Sequence, residues 1–274
     1  MEIFRVLNEG PFRSPALVVA LDGWVNAGDA ATIVADTLGN GPLIVEFAVD
    51  PLVDYRQSRP SVVFAEGIIE DVEWPSLGVH LYSGTNRDLL VMSGFEPSRN
   101  WRWLSEATVE IAARLGVTEH ISIGGLPWTA PHTRPVSLMM TSGSPDRIPP
   151  ECRPLPGPIR VPAAATTILE HAMAEAGFPS IGFWAQVPNY VADPYPAAAI
   201  ALLHRLGEHL RESITVDPLV DAASEQRIEI DRVVASDPNL QDLITEYEMV
   251  FDAGSSVSGE SLAAEIEKFL RDDS

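Results

Sequence analysis

Six consecutive apolar residues, Ala16-Leu17-Val18-Val19-Ala20-Leu21, run directly into Asp22-Gly23-Trp24. A short, unbroken apolar run ended by a turn predicts a strand buried on both faces, as in a parallel sheet covered by helices on each side. The residues from about Asn26 to Leu38, stopped by Gly39-Asn40-Gly41, predict a helix. Leu43-Ile44-Val45-Glu46-Phe47 predicts the next strand. Strand, helix and strand at this spacing make a βαβ unit, which commits the chain to an α/β fold.

The same logic carries on downstream. Leu89-Leu90-Val91-Met92 and Ile121-Ser122-Ile123 predict buried strands, each leading into a turn that contains glycine. With residues 16–21 they are expected at the centre of a mostly parallel, doubly wound sheet. Helices are predicted from about Trp101 to Leu115, from Ala163 to Ala176, and from Tyr195 to Leu210, the last opened by Pro194 and Pro196. Ile181 to Ala185 and Val136 to Thr141 read as further strands, and Val62-Val63-Phe64 with Gly67-Ile68-Ile69 as a hairpin or edge strands. The proline- and glycine-rich residues 142–162 exclude helix and predict a long surface loop.

After Val216 the composition shifts. Residues 217–274 carry 15 acidic and 4 basic side chains, a net of −11, in a helical pattern. Leu219, Ala222, Ala223, Ile230 and Val233 set one apolar stripe; Leu240, Leu243, Ile244, Tyr247 and Phe251 set a second; Leu262, Ile266, Phe269 and Leu270 set a third. Each stripe needs a partner surface. The expected division is a core over 1–216 and an acidic helical extension over 217–274, packed on the core or on a neighbouring subunit.

The whole chain of 274 residues has a formal charge of −21. A surface this negative repels nucleic acid and anionic membrane, so neither is an expected partner. No stretch approaches the ~18 apolar residues of a membrane span, and Met1 to Arg5 do not open a secretion signal, which points to the cytoplasm. Cys152 is the only cysteine and Lys268 the only lysine. The first leaves no intrachain disulfide or thiolate cluster, and the second leaves no lysine for a phosphate-binding loop. No metal and no cofactor are expected, and G-x-G-x-x-G, H-E-x-x-H and G-x-S-x-G are all missing.

Four segments at strand ends carry the candidate chemistry. Asp22-Gly23-Trp24 through Asp29 offers N–H groups to an anion. The aspartates oppose that, and the competing reading makes Asn26 or Asp29 a helix cap. Glu96, in Ser93-Gly94-Phe95-Glu96-Pro97, suits a general base or metal ligand, or else a carboxylate that caps a helix or stays solvated. His132 titrates near neutrality, and Arg134 can fork onto a carboxylate, either a ligand's or a neighbour's. Asn189 and Tyr190 follow the strand at 181–185 and read as turn and packing residues. Together Asp22, Gly23, Trp24, Glu96, His132, Arg134, Asn189 and Tyr190 make the candidate pocket, expected at one edge of the sheet. His204 and His209, five apart on a helix, are poorly spaced for a shared metal.

These segments, in this order, resemble a known family. Leu21-Asp22-Gly23-Trp24-Val25-Asn26-Ala27-Gly28, Arg59-Pro60, Gly94-Phe95-Glu96-Pro97 with Trp101, Pro131-His132-Thr133-Arg134-Pro135 and Val187-Pro188-Asn189-Tyr190-Val191 are similar to the landmarks of the proteasome-assembly-chaperone-2 family, over roughly residues 1–210. The acidic C-terminal helices resemble its actinobacterial branch. The resemblance implies a three-layer α/β/α fold like that of nucleoside phosphorylases and peptidyl hydrolases. It also implies self-association, with a trimer expected, and proteasome subunits as partners in a non-catalytic assembly role. The alternative is an enzyme or a binder of a small, nucleotide-like molecule at the strand ends. Asn189 stands where the family pattern has histidine. The last residues, Asp272-Asp273-Ser274, differ from the hydrophobic–tyrosine tail by which chaperone members dock, so a proteasome contact is expected through the body.

Overall fold

The computed structural model describes residues 3–143, 147–148, 158, 160–191 and 194–253. In chain order the elements are β1 (Phe4–Val6), β2 (Ala16–Asp22), a 3-10 turn (Ala27–Asp29), α1 (Ala30–Leu38), β3 (Leu43–Phe47), β4 (Ser61–Ala65), β5 (Ile68–Glu73), β6 (Leu77–Ser83) and β7 (Asp88–Phe95). There follow α2 (Trp101–Arg114), β8 (Glu119–Trp128), β9 (Leu138–Thr141), α3 (Ala165–Glu175), β10 (Ser180–Pro188), α4 (Pro196–Leu210), α5 (Asp217–Ser236) and α6 (Pro238–Asp252).

Eight strands form one sheet in the order β1-β3-β6-β7-β2-β8-β10-β9. Its centre, β7-β2-β8-β10, is parallel throughout. β3 runs the same way, reached through antiparallel β6, while β1 and β9 close the two edges antiparallel. The sheet is therefore mostly parallel. The strands at 16–21, 89–92 and 121–123 are interior, as their unbroken apolar runs predict.

The alternation of β2 shows why three layers form. Ala16, Val18 and Ala20 pack with Val34 and Leu38 of α1 and with Leu202 and Leu206 of α4. Leu17, Val19 and Leu21 point to the opposite face, against Leu104 and Ile111 of α2 and Leu169 and Met173 of α3. All six of these side chains are buried, and each larger one is worth about 1.5–3 kcal/mol. Helices on both faces of one sheet make the α/β/α architecture.

Two further strands complete the sheet: β1, only three residues long, and β6, where apolar Leu77, Val79 and Leu81 alternate with Gly78, His80 and Tyr82, a strand pattern that the sequence reading passed over. The insertion of β6 and β7 also places β3 two strands from β2. The predicted hairpin exists as β4–β5, a two-stranded sheet outside the main one. In the acidic extension Leu219 and Ile230 of α5 pack against the core and Ile244 of α6 is buried, but Val233 stays 49% exposed. The third stripe (Leu262, Ile266, Phe269, Leu270) and Cys152 lie outside the described residues.

Candidate functional site

β2 and β7 are parallel neighbours, so their C-terminal turns emerge side by side, with Asp22 opposite Phe95. The next residue, Glu96, ties those turns together. Its N–H donates to the Asp22 carbonyl at 2.7 Å. Its carboxylate accepts the N–H of Trp24 at 2.8 Å and, through the other oxygen, the N–H of Ala165 at 2.6 Å. Ala165 is the first residue of α3, so the negative charge sits at a helix N-terminus, where the helix dipole favours it. Gly23 leaves room for this clasp, since a Cβ there would lie 2.2 Å from the Glu96 Cβ.

Asn26 caps α1 from three residues upstream of the helical turn's end. Its Oδ1 accepts the N–H groups of Ala31 at 2.8 Å and Thr32 at 3.2 Å, and its amide donates to Thr32 Oγ1 and to Asp22 Oδ1. Asp29 makes no such cap. Burial, then the charge of Asp22, raises the Asp29 carboxyl above its ordinary range. Trp24 packs with Val25, Ala164 and Trp184.

Around these turns opens a cavity of about 1320 Å³. Asp22, Gly23 and Glu96 line it, and so do Arg59, Phe95 and Trp101. The first three of the five resembling segments thus share one open space at the carboxyl ends of β2 and β7, where open α/β sheets place ligands.

The other four candidates lie on the seam with α5 and α6. His132 is buried, and its backbone N–H donates to the Tyr190 hydroxyl at 2.7 Å. That hydroxyl sits 2.7 Å from Nδ1, and Nε2 sits 3.0 Å from Asp231 Oδ1. The consistent arrangement has Tyr190 donating to Nδ1 and a neutral Nε2–H donating to Asp231. Burial pushes the imidazole below its ordinary range and nearby Arg227 adds to this, against the pull of Asp231. Arg227 itself donates to the His132 carbonyl at 2.9 Å. Arg134 forks onto Asp252 at 2.7 and 2.9 Å and reaches Glu248 at 3.1 Å. The Asn189 amide donates to the Tyr247 hydroxyl at 3.2 Å.

The eight candidates therefore fall into two groups, one on the cavity side and one on the helical seam. Their partners Arg227, Asp231, Glu248 and Asp252 escaped the sequence reading because charges on an acidic helix read as solvated. The P-H-T-R-P segment held the only available hint, an arginine in want of a carboxylate. His209 bonds Glu119 at 2.9 Å and stacks edge-on with Phe183, a packing role. Among the described residues no group of three or more histidine, cysteine, aspartate or glutamate side chains is placed to hold a metal ion. None of their helices is long and apolar enough to cross a membrane.

The chain is similar to several solved structures. A Mycobacterium tuberculosis protein of unknown function shares 28% identity at a TM-score of 0.90, with 97% of this chain and 96% of that one covered. A PAC2 family protein from Streptomyces avermitilis shares 30% identity at a TM-score of 0.74, covering 85% and 99%. A Mycobacterium tuberculosis proteasome-assembly chaperone homologue shares 28% at 0.77, covering 84% and 99%. No curated protein matches the chain. The PAC2 family model matches residues 20–234, most of the chain's length, and the chain belongs to the PAC2 family.

Proposed function

We propose that this protein is a non-catalytic binding and assembly factor whose partners are proteasome subunits. The observation that carries the reading is that Glu96 and His132, the two acid–base candidates singled out in the sequence, both serve as internal ties of the fold. Glu96 spends its two oxygens on backbone N–H groups, and His132 spends both ring nitrogens on Tyr190 and Asp231. The partner class follows from the similar chain described as a proteasome-assembly chaperone homologue. In this reading residues 1–216 form the body that meets the partner, and α5 and α6, from the acidic stretch 217–274, are latched to it. The protein works in the cytoplasm as a homo-oligomer, a trimer by family resemblance.

The test is direct. Purified protein and purified proteasome α-subunits are mixed, and complexes are read by native mass spectrometry. A defined complex at micromolar concentration, and faster α-ring formation, are expected. Unchanged masses and an unchanged rate of ring formation would refute the proposal. The open cavity of about 1320 Å³ favours one second reading, a small-molecule binder at the strand ends. Asp22 and Asp36 in its lining oppose a phosphate there, so that reading suits an uncharged or cationic ligand.

A further inference from the structure

The strand register shows how the large cavity is built. Ala20 pairs with Ser93, Ser93 with Gly78, and Gly78 with Glu46. Directly paired residues point to the same side, so these four lie in one row across β2, β7, β6 and β3. Ala20 belongs to the core on the α1 side, which fixes the face. All four line the cavity, and the three small ones give it depth. In the row below, His80 pairs with Leu43 and Val91 on the same face. His80 lines the cavity too, and its Nδ1 is shut off from water without a hydrogen-bond partner. α1 adds a wall through Thr32 and Asp36, and the β4–β5 hairpin adds another through the paired Ser61 and Glu73. The volume of about 1320 Å³ exceeds the roughly 300–1,000 Å³ of ordinary ligand pockets, which leaves room for an extended molecule.

The charges in this lining are spread out. Glu46 is paired with Arg5, and Glu96 with two backbone N–H groups, which leaves Asp22, Asp36 and Glu73. Among the described residues Arg59 is the one cation in the lining. Burial lowers the pKa of His80, so its ring adds no charge near neutrality. The Asn26 amide bonds both Asp22 and Thr32, and Asp36 follows Thr32 by one turn of α1. Glu73 stands apart from both, on the hairpin. The negative field is felt nearby, since after burial the charge of Asp22 raises the Asp29 carboxyl. Among the described residues these carboxylates are not gathered to hold a metal ion. Charges at separate places suit a ligand whose own positive charges are separated along a chain. Trp74 and Trp101 also line the cavity, and indole rings attract both ammonium groups and methylenes.

We propose that the cavity over β7, β6 and β3 binds a linear aliphatic polyamine, with ammonium groups at Asp22, Asp36 and Glu73 and methylenes against the tryptophans. The neutral His80 ring on the floor accepts no competing cation of its own and leaves the site negative. The inference rests on the second reading above, of a small-molecule binder at the strand ends, and names its ligand class. It is independent of the proteasome partners.

The test is equilibrium dialysis of the full chain against radiolabelled spermine. Two double variants are compared with the unaltered protein. Asp36→Asn/Glu73→Gln removes two exposed carboxylates from the cavity, and Asp242→Asn/Glu246→Gln removes two exposed carboxylates from α6. Both change the net charge equally, so they separate a site from the general attraction of an acidic protein. The cavity variant is expected to bind spermine about tenfold more weakly, the α6 variant to match the unaltered protein within error, and binding to weaken as salt rises. Equal losses in the two variants, or no loss in either, would reduce the attraction to net charge and overturn the proposal. An oligolysine peptide that binds in a cavity-dependent way where spermine does not would assign the cavity to protein side chains, and would overturn it too. Tetraethylene glycol, a chain of similar length without ammonium groups, separates the two readings. If it binds and spermine does not, the small-molecule reading stands and the polyamine is lost.

Discussion

The Nε2 of His132 lies 3.0 Å from the Oδ1 of Asp231, and this contact joins the loop after β8 to a helix 99 residues further along the chain. The histidine side chain is 1% exposed and the aspartate side chain 50%. One partner belongs to the body and the other to the acidic extension. Two arginines tie the seam beside it: Arg227 donates to the His132 carbonyl, and Arg134 donates to Glu248 and Asp252. The apolar contribution to the seam is small, since no residue of α5 is buried and Ile244 is the one buried residue of α6. Polar contacts therefore fix how the extension sits.

Replacing His132 by alanine strips partners from the Tyr190 hydroxyl and Asp231 and opens a space beneath α5. A loss of about 1–3 kcal/mol is expected, the usual cost of orphaning buried polar groups. Arg134→Ala should instead loosen α6, seen as faster amide exchange over 238–252 with little change in the sheet. Exchange in both helices that matches the unaltered protein would mean that Leu219, Ile230 and Ile244 hold the extension unaided.

His120 is fully buried in β8, and neither ring nitrogen has a partner. Burial pushes its pKa down to about 3. It therefore stays neutral in the fold while the unfolded chain gains a proton below about pH 6.5. Its presence costs stability as the pH falls from about 6.5 toward 3. His120→Leu removes that cost, so the variant's advantage should grow by about 2 kcal/mol between about pH 7.5 and 5. Urea midpoints at the two pH values measure it, and an advantage that does not grow on acidification would rule the account out.

Glu170 of α3 gives the opposite slope. Burial raises its pKa to about 7, against the lowering bond from Thr141. The folded chain holds its proton where the unfolded chain has released it. The penalty appears as the pH rises past about 4.5 and levels off above 7. Glu170→Gln should therefore stabilise relative to the unaltered protein by about 3 kcal/mol near pH 8 and by almost nothing near pH 4. A variant advantage that is flat across this range would show that the carboxyl titrates alike in the folded and unfolded chains.

The sheet centre was legible because strands buried on both faces leave unbroken apolar runs, as Ala16–Leu21 does. β6 was passed over although Leu77, Val79 and Leu81 alternate with Gly78, His80 and Tyr82, because the segment lacks the unbroken apolar run that marks the central strands. The turns at Asp22, Glu96 and His132 were found as segments, since strand ends are where such folds carry polar residues. Their grouping was not. Asp22 and Glu96 meet because β2 and β7 are neighbours, which sequence order hides. His132 and Arg134 turn toward α5 and α6, whose carboxylates look solvated until the chain is folded. Asn26 was recognised as a possible cap, and it caps α1 through Ala31 and Thr32.

The last prediction concerns Glu96, where a catalytic and a structural role lead to opposite results. Its two oxygens accept N–H groups from Trp24 and Ala165, which lie on different segments and would otherwise be unpaired at a turn and at the start of α3. Glutamine has nearly the same shape but only one acceptor oxygen, so one of the two N–H groups would face the amide's own N–H. Glu96→Gln should cost about 1–3 kcal/mol, the price of one lost charged bond and one orphaned donor. For a chain of this size that lowers Tm by a few degrees, roughly 2–4 °C for each kcal/mol. Glu96→Ala should cost at least as much, since both N–H groups then lose their acceptor. If the carboxylate only fastens the two turns, binding to α-subunits measured below the variant's melting range should match the unaltered protein. Glu96→Gln with an unchanged Tm but lost binding or lost turnover of a ligand would instead place the carboxylate in direct contact with that ligand. Glu96 would then be a working group of the cavity rather than its clasp.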